Sequence, residues 1–198
     1  ITNGMNLVLS AGYEDRNTLK NTTSFSFVKT SREYTPNIPV NLLLDTITNP
    51  MYLLRDQRHV HFGGTLSYTP RQKYSVYNGR KVSRGSDWPT FALTWKHGIN
   101  EFPGEAEPWK HYDMLALDIS RRKDIGAFSE FRWQVHAGGF LDNRSVPFYD
   151  FFHINTQPLY VLLDDYQDAF RLPAYHSLST PEFHGEMHLK YTTPYLVL

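Results

Sequence analysis

The chain has 198 residues, enough for one domain with a sizeable core or for part of a larger one. Its 20 basic and 20 acidic residues balance, so no net field recruits nucleic acid. The absence of cysteine excludes disulfide frameworks, thiolate zinc sites and thiol nucleophiles.

The chain opens on Ile1-Thr2-Asn3-Gly4, which has neither the basic nor the apolar region of a secretory leader. Its longest apolar run, residues 158–163, is far below the roughly 18–20 residues of a membrane-spanning helix. The dominant period is two, which predicts strands. In 5–14, Leu7, Leu9, Ala11 and Tyr13 alternate with Asn6, Val8, Ser10 and Gly12. In 22–30, Phe25 and Phe27 alternate with small or polar neighbours. A long irregular connection with three prolines follows at 35–56.

In 59–68, Val60, Phe62, Leu66 and Tyr68 alternate with His59, His61, Thr65 and Ser67. In 90–96, Phe91, Leu93 and Trp95 alternate with Thr90, Ala92, Thr94 and Lys96. Leu115, Leu117 and Ile119 then lead through an expected turn at 122–126 into Phe131, Trp133, Val135 and Ala137. Glu130, Arg132, Gln134 and His136 fill the other face of that last strand. A second long connection, 142–180, carries Pro147, Pro158 and Pro173, and loops of this length usually carry function or cover something.

The seventh segment is 182–191, EFHGEMHLKY. Ser179-Thr180-Pro181-Glu182 reads as a helix start, but Gly185 and the off-face Leu189 argue for a strand. On a strand, His184 and His188 lie about 13 Å apart and cannot grip one ion, because Zn–N bonds are near 2 Å. Glu182, His184, Glu186 and His188 then form one wet face. His59-Val60-His61 has the His-x-His spacing of a cupin-type metal site, but no glutamate follows in 62–66. Glu130, Glu182, Glu186 and Asp118 offer carboxylate pairs of the kind glycosidases use, yet any β protein with a polar face offers the same. No nucleophile elbow, phosphate loop or dinucleotide fingerprint occurs.

Tyr and Trp gather towards the strand ends, and the segments approach the 9–11 residues of a tilted membrane-crossing strand. The aromatic faces are therefore either the core of a soluble sandwich or the lipid side of a barrel.

The segment 151–191 resembles an outer-membrane family of Bacteroidota. In that family a carboxypeptidase-regulatory-like domain precedes a β-barrel similar to the BamA/TamA assembly barrels. The pieces that carry the likeness are Phe151-Phe152-His153-Ile154-Asn155-Thr156, Phe170-Arg171-Leu172, residues 175–180 and Glu186-Met187-His188. Upstream, Tyr68-x-Pro70-x-Gln72-Lys73-Tyr74 and residues 89–99 are similar to it as well.

The resemblance implies that 142–180 folds back into a barrel lumen and latches there. Arg171 matches the family's loop-tip arginine, although Leu172-Pro173 replaces the expected Gly-aromatic pair. Glu186 and Glu130 are the candidate acids for it. His59, His61, Arg132, His136, Glu182, His184 and His188 are expected to face the lumen.

The expected fold is all-β: about seven antiparallel, up-and-down strands of a larger transmembrane barrel, with long loops at 35–56 and 142–180. Seven strands cannot close a bacterial barrel, so strands are expected to be missing at both ends. The implied setting is the bacterial outer membrane. The partners are its bilayer, with other outer-membrane proteins or lipoproteins in a complex. The implied role is structural or in envelope biogenesis, with no cofactor and no catalysis. The alternative is a soluble aromatic-rich β-sandwich that binds glycans. A metal-dependent enzyme using His59, His61, His184 and His188 is the third reading.

Overall fold

Six of the seven runs of alternating residues become long extended strands, each pairing with the next long strand in the chain. The computed structural model describes residues 4–17, 25–26, 33–34, 56–126, 128–155, 170 and 178–193. Six long strands form one antiparallel sheet in the order β1 (Met5–Arg16), β4 (Gln57–Tyr68), β7 (Thr90–Glu101), β8 (Trp109–Ile125), β9 (Ser129–Phe140) and β10 (His184–Thr192). Every neighbour in the sheet is the next long strand in sequence, so the topology is an up-and-down meander. β1 and β10 are its two edges, and among the described residues they do not pair with each other.

Two small hairpins interrupt the meander. β2 (Phe25–Ser26) pairs with β3 (Glu33–Tyr34), and β5 (Tyr74–Tyr77) with β6 (Arg80–Ser83).

The register carries the alternation across the whole sheet. One row runs Leu7, Leu66, Leu93, Leu117, Ala137. The next runs Met5, Tyr68, Phe91, Ile119, Val135, Met187. Between them, on the opposite face, lies Asn6, Ser67, Ala92, Asp118, His136, Glu186. The period of two thus sorts the sheet into an apolar and a polar face.

Burial is reversed relative to that of a water-soluble sheet. The apolar face is open, with Leu9 75 % and Leu189 61 % exposed. The polar face is the covered one at one end of the sheet, where residues 141–155 fold over it. Val146, Phe148 and Phe151 from this loop pack on Tyr112 and Phe140, and this is the hydrophobic cluster of the described residues.

Two expectations change, and the strand expected at 182–191 holds. Of the segment 22–30, the described residues Phe25–Ser26 pair with Glu33–Tyr34 rather than with the sheet. The turn expected at 122–126 begins later, because Arg122, Lys123, Asp124 and Ile125 still pair with β9, and Gly126 (φ 67°) makes the bend. No helix follows Ser179-Thr180-Pro181. The Thr180 hydroxyl accepts the Glu182 N–H at 3.1 Å, two residues on, and this turn leads directly into β10. The β5–β6 hairpin had a readable signal, Asn78-Gly79. Both take positive φ (48° and 75°), as the tight turn between twisted strands requires.

Candidate functional site

The centre of the covered region is Asp150, which closes the short 3-10 turn Phe148–Asp150. Pro147 presets the extended entry to this turn (φ −75°). The turn aims the Asp150 carboxylate at the polar face, where its side chain is 2 % exposed. Arg16, at the end of β1, donates from Nη1 to Asp150 Oδ1 at 2.9 Å and from Nε to Glu14 at 2.7 Å. Lys96 Nζ and His59 Nδ1 each stand 3.8 Å from the same carboxylate. The acid thus comes from the loop and the basic groups from three strands.

The floor of this dock is imidazole and phenol. His59, fully buried, donates from Nδ1 to Asn100 Oδ1 at 2.7 Å. Its ring stacks on His61 at 5.3 Å and on Tyr112 at 6.3 Å. Two glycines make room for these flat rings. A Cβ on Gly98 would sit 2.3 Å from the Tyr112 ring, and one on Gly12 would sit 2.4 Å from His61. Each glycine is the cross-strand neighbour of the ring that covers it. Several buried polar atoms of this region have no protein partner, among them both amide atoms of Gln57, Asn100 Nδ2 and His61 Nδ1. Such atoms cost about 1–3 kcal/mol each unless water reaches them, so this interior has the chemistry of a wet cavity rather than of a core.

A second contact secures the rest of the loop. The Phe152 ring stacks on His184 at 3.4 Å between centroids and on His136 at 5.3 Å. His136 Nδ1 donates to Asp118 at 2.6 Å, and His184 Nε2 lies 3.1 Å from His136 Nε2. Backbone hydrogen bonds run both ways between Phe152 and Thr180, at 3.0 and 3.1 Å. His153 donates from Nε2 to the Phe148 carbonyl at 3.0 Å and accepts from Ser179 at 2.7 Å. The start of the loop is thereby tied to the segment that enters β10.

The residues singled out by sequence fall as follows. His59, His61, His136, His184, His188 and Arg132 share the polar face by register. Glu186 is on it too, 3.6 Å from His188. Glu182 is exposed and precedes β10, so no strand pairing assigns it a face. Glu130 lies at the far end of the sheet from the loop, where it pairs with Arg122 and Arg132. Arg171 lies outside the described residues. Among those residues, no three His, Asp or Glu converge on a point where they could hold a metal ion.

Sequence reading missed Asp150 and its partner Arg16, and did not connect Lys96 with them. The available signal was a lone carboxylate inside an aromatic run, Phe148-Tyr149-Asp150-Phe151-Phe152. If those rings are covered, the acid between them needs a cation.

No curated protein and no solved structure matches the chain. The model of one family, described as the C-terminal domain of a family of unknown function (DUF5686), matches residues 1–198. With its whole length matched, the chain belongs to the DUF5686 family as that C-terminal domain.

Proposed function

We propose that the chain is part of a transmembrane antiparallel β-barrel of the outer-membrane assembly type, non-catalytic, with a structural or envelope-biogenesis role. In this reading the apolar face meets lipid, the polar face lines a wet lumen, and residues 141–155 narrow that lumen from one end. The six strands are then an arc of a barrel closed by further strands, since bacterial barrels have at least eight and an open edge is not tolerated in lipid.

The observation that carries the reading is the reversed burial. The loop spends its apolar residues on the polar face and leaves rows of Leu, Phe, Trp and Met open on the other. A contiguous apolar surface of this extent is a liability in water and an asset in a bilayer. Strand length agrees, because twelve residues in β4 or β7 reach across the hydrocarbon at a tilt near 45°.

The aromatic placement agrees as well. Tyr13 and Trp109 stand near one rim of the apolar face, and Tyr68, Phe131 and Tyr191 near the other, like interfacial girdles. A glycan-binding sandwich needs a second layer on the apolar face, and none of the described residues supplies one.

Fractionation of cells expressing the full-length protein tests the proposal. The expected outcome is recovery in outer membranes, extraction only with detergent, and a shift in gel migration on heating. Quantitative recovery as a soluble monomer without detergent overturns it.

A further inference from the structure

The end of the sheet opposite the Asp150 dock holds a cavity of about 850 Å³. It arises from two projections beyond the last shared rung of the sheet. β7 ends its pairing with β8 at Thr90–Ser120, yet β8 continues to Ile125 alongside β9. On the other side the β5–β6 hairpin stands out as an arm that closes through backbone hydrogen bonds between Lys73 and the 84–85 turn, at 2.9 Å. The cavity is the cleft between arm and extension, floored by Thr69, Thr90 and Ser120.

Its walls are cationic. Six basic side chains line it, two of them from the arm, against two lining acids and the neighbouring Glu130. Arg122 and Arg132 are direct cross-strand partners, an arrangement that is unfavourable for like charges without a counter-ion. Glu130 stands between them and uses its charge on both. Asp87 is engaged as well: Lys73 donates to it at 2.6 Å, and this contact holds its carboxyl below the usual range.

Three cations lack a carboxylate within ion-pair distance, although Arg84 Nε donates to the Ser75 hydroxyl at 2.9 Å and Arg121 acts on Asp87 at longer range. Among the described residues Arg84, Arg121 and Lys123 form no ion pair within 4 Å, and the buried Nε of Arg121 has no hydrogen-bond partner. Trp88 and Trp133 complete the lining.

We propose that this cavity binds a phosphate group, either free or as the headgroup of an anionic lipid. Guanidinium forks match phosphate oxygens in pairs, lysine adds a point charge, and an anion here balances the excess of six lining cations over the two lining acids and Glu130. The volume lies within the range of small-ligand sites and admits more than a bare oxyanion. The two tryptophans suit a site at headgroup level.

The test is tryptophan fluorescence of the full-length protein in a non-ionic detergent, since two of the chain's four tryptophans line the cavity. Titrants are inorganic phosphate, short-chain phosphatidylglycerol and short-chain phosphatidylcholine. Saturation by phosphate assigns a free-phosphate site, and saturation by phosphatidylglycerol alone assigns a lipid headgroup. In either case R84Q and K123Q, both exposed and separately made, each weaken binding about tenfold without altering the far-UV circular dichroism. Raising the salt to about 0.5 M weakens it as well.

No saturable change with phosphate or phosphatidylglycerol overturns the proposal. So does equal response to phosphatidylcholine, or unchanged affinity in both variants. The phosphate titration runs equally in detergent-free buffer. Binding by a soluble protein would therefore sink the barrel reading and leave this site standing.

Discussion

At the scale of residues, Asp150 is the group whose loss has the most to disturb. Arg16, Lys96 and His59 converge on it from β1, β7 and β4, and its side chain is almost fully withdrawn from solvent. Removing one partner of a buried pair strands the other, a cost of about 3 kcal/mol or more, whereas replacing both with apolar groups is far cheaper. Asp150→Ala is therefore expected to destabilise the folded protein by about 3 kcal/mol in chemical denaturation. The double variant Arg16→Met/Asp150→Leu is expected to recover most of that. A loss below about 0.5 kcal/mol for Asp150→Ala would show that the carboxylate is not what holds the loop. The dock has the opposite polarity to the latch expected at Arg171: the loop carries the acid and the strands carry the bases.

At the scale of elements, the 141–155 loop is held by the ion pairs of Asp150, the Val146–Phe148–Phe151 cluster, the Phe152–Thr180 backbone hydrogen bonds and the stacked Phe152 ring. Phe152 covers His184 and touches His136, so its truncation removes apolar contact without disturbing Asp150. For this half-buried ring Phe152→Ala is expected to cost about 2 kcal/mol of local stability. Limited proteolysis reads that as about thirty-fold faster cleavage within 141–155 when reclosing outpaces cutting. Cleavage at the wild-type rate would mean that the stack contributes nothing to closure.

The long strands were legible in the sequence because alternation is a property of neighbouring residues. The β5–β6 hairpin carried its signal in Asn78-Gly79, which dictates a tight turn whatever lies around it. The extra length of β8 was not legible, because Arg122, Lys123 and Asp124 look like a solvated turn until β9 pairs with them.

At the scale of the whole molecule, the apolar face separates a bilayer from water. Leu189 stands near the middle of β10 and is 61 % exposed. On a lipid-facing strand, Leu189→Arg is expected to cost about 2–4 kcal/mol and to lower recovery in the membrane fraction, while Lys190→Gln on the other face has little effect. In a soluble protein the same arginine would be neutral or improve solubility. Equal membrane recovery of Leu189→Arg and wild type would therefore count against the lipid-facing assignment.

The sequence by itself determined the all-β class, the alternation of each long strand and the side chains that share a face, because a period of two is local and needs no partner. It also marked the long second connection as one that carries function or covers something, because loops of that length seldom lack a role. Only the tertiary structure decided which face its first residues, 141–155, cover and which residues hold them there. Asp150 and Arg16 are 134 residues apart, and nothing local to either one announces the other. They meet because the register of three strands brings Arg16, His59 and Lys96 to the same end of the polar face. At the opposite end of the sheet the extended β8 and the β5–β6 arm bring Arg121, Arg122, Lys123 and Arg84 around one cavity, where a balanced chain becomes locally basic.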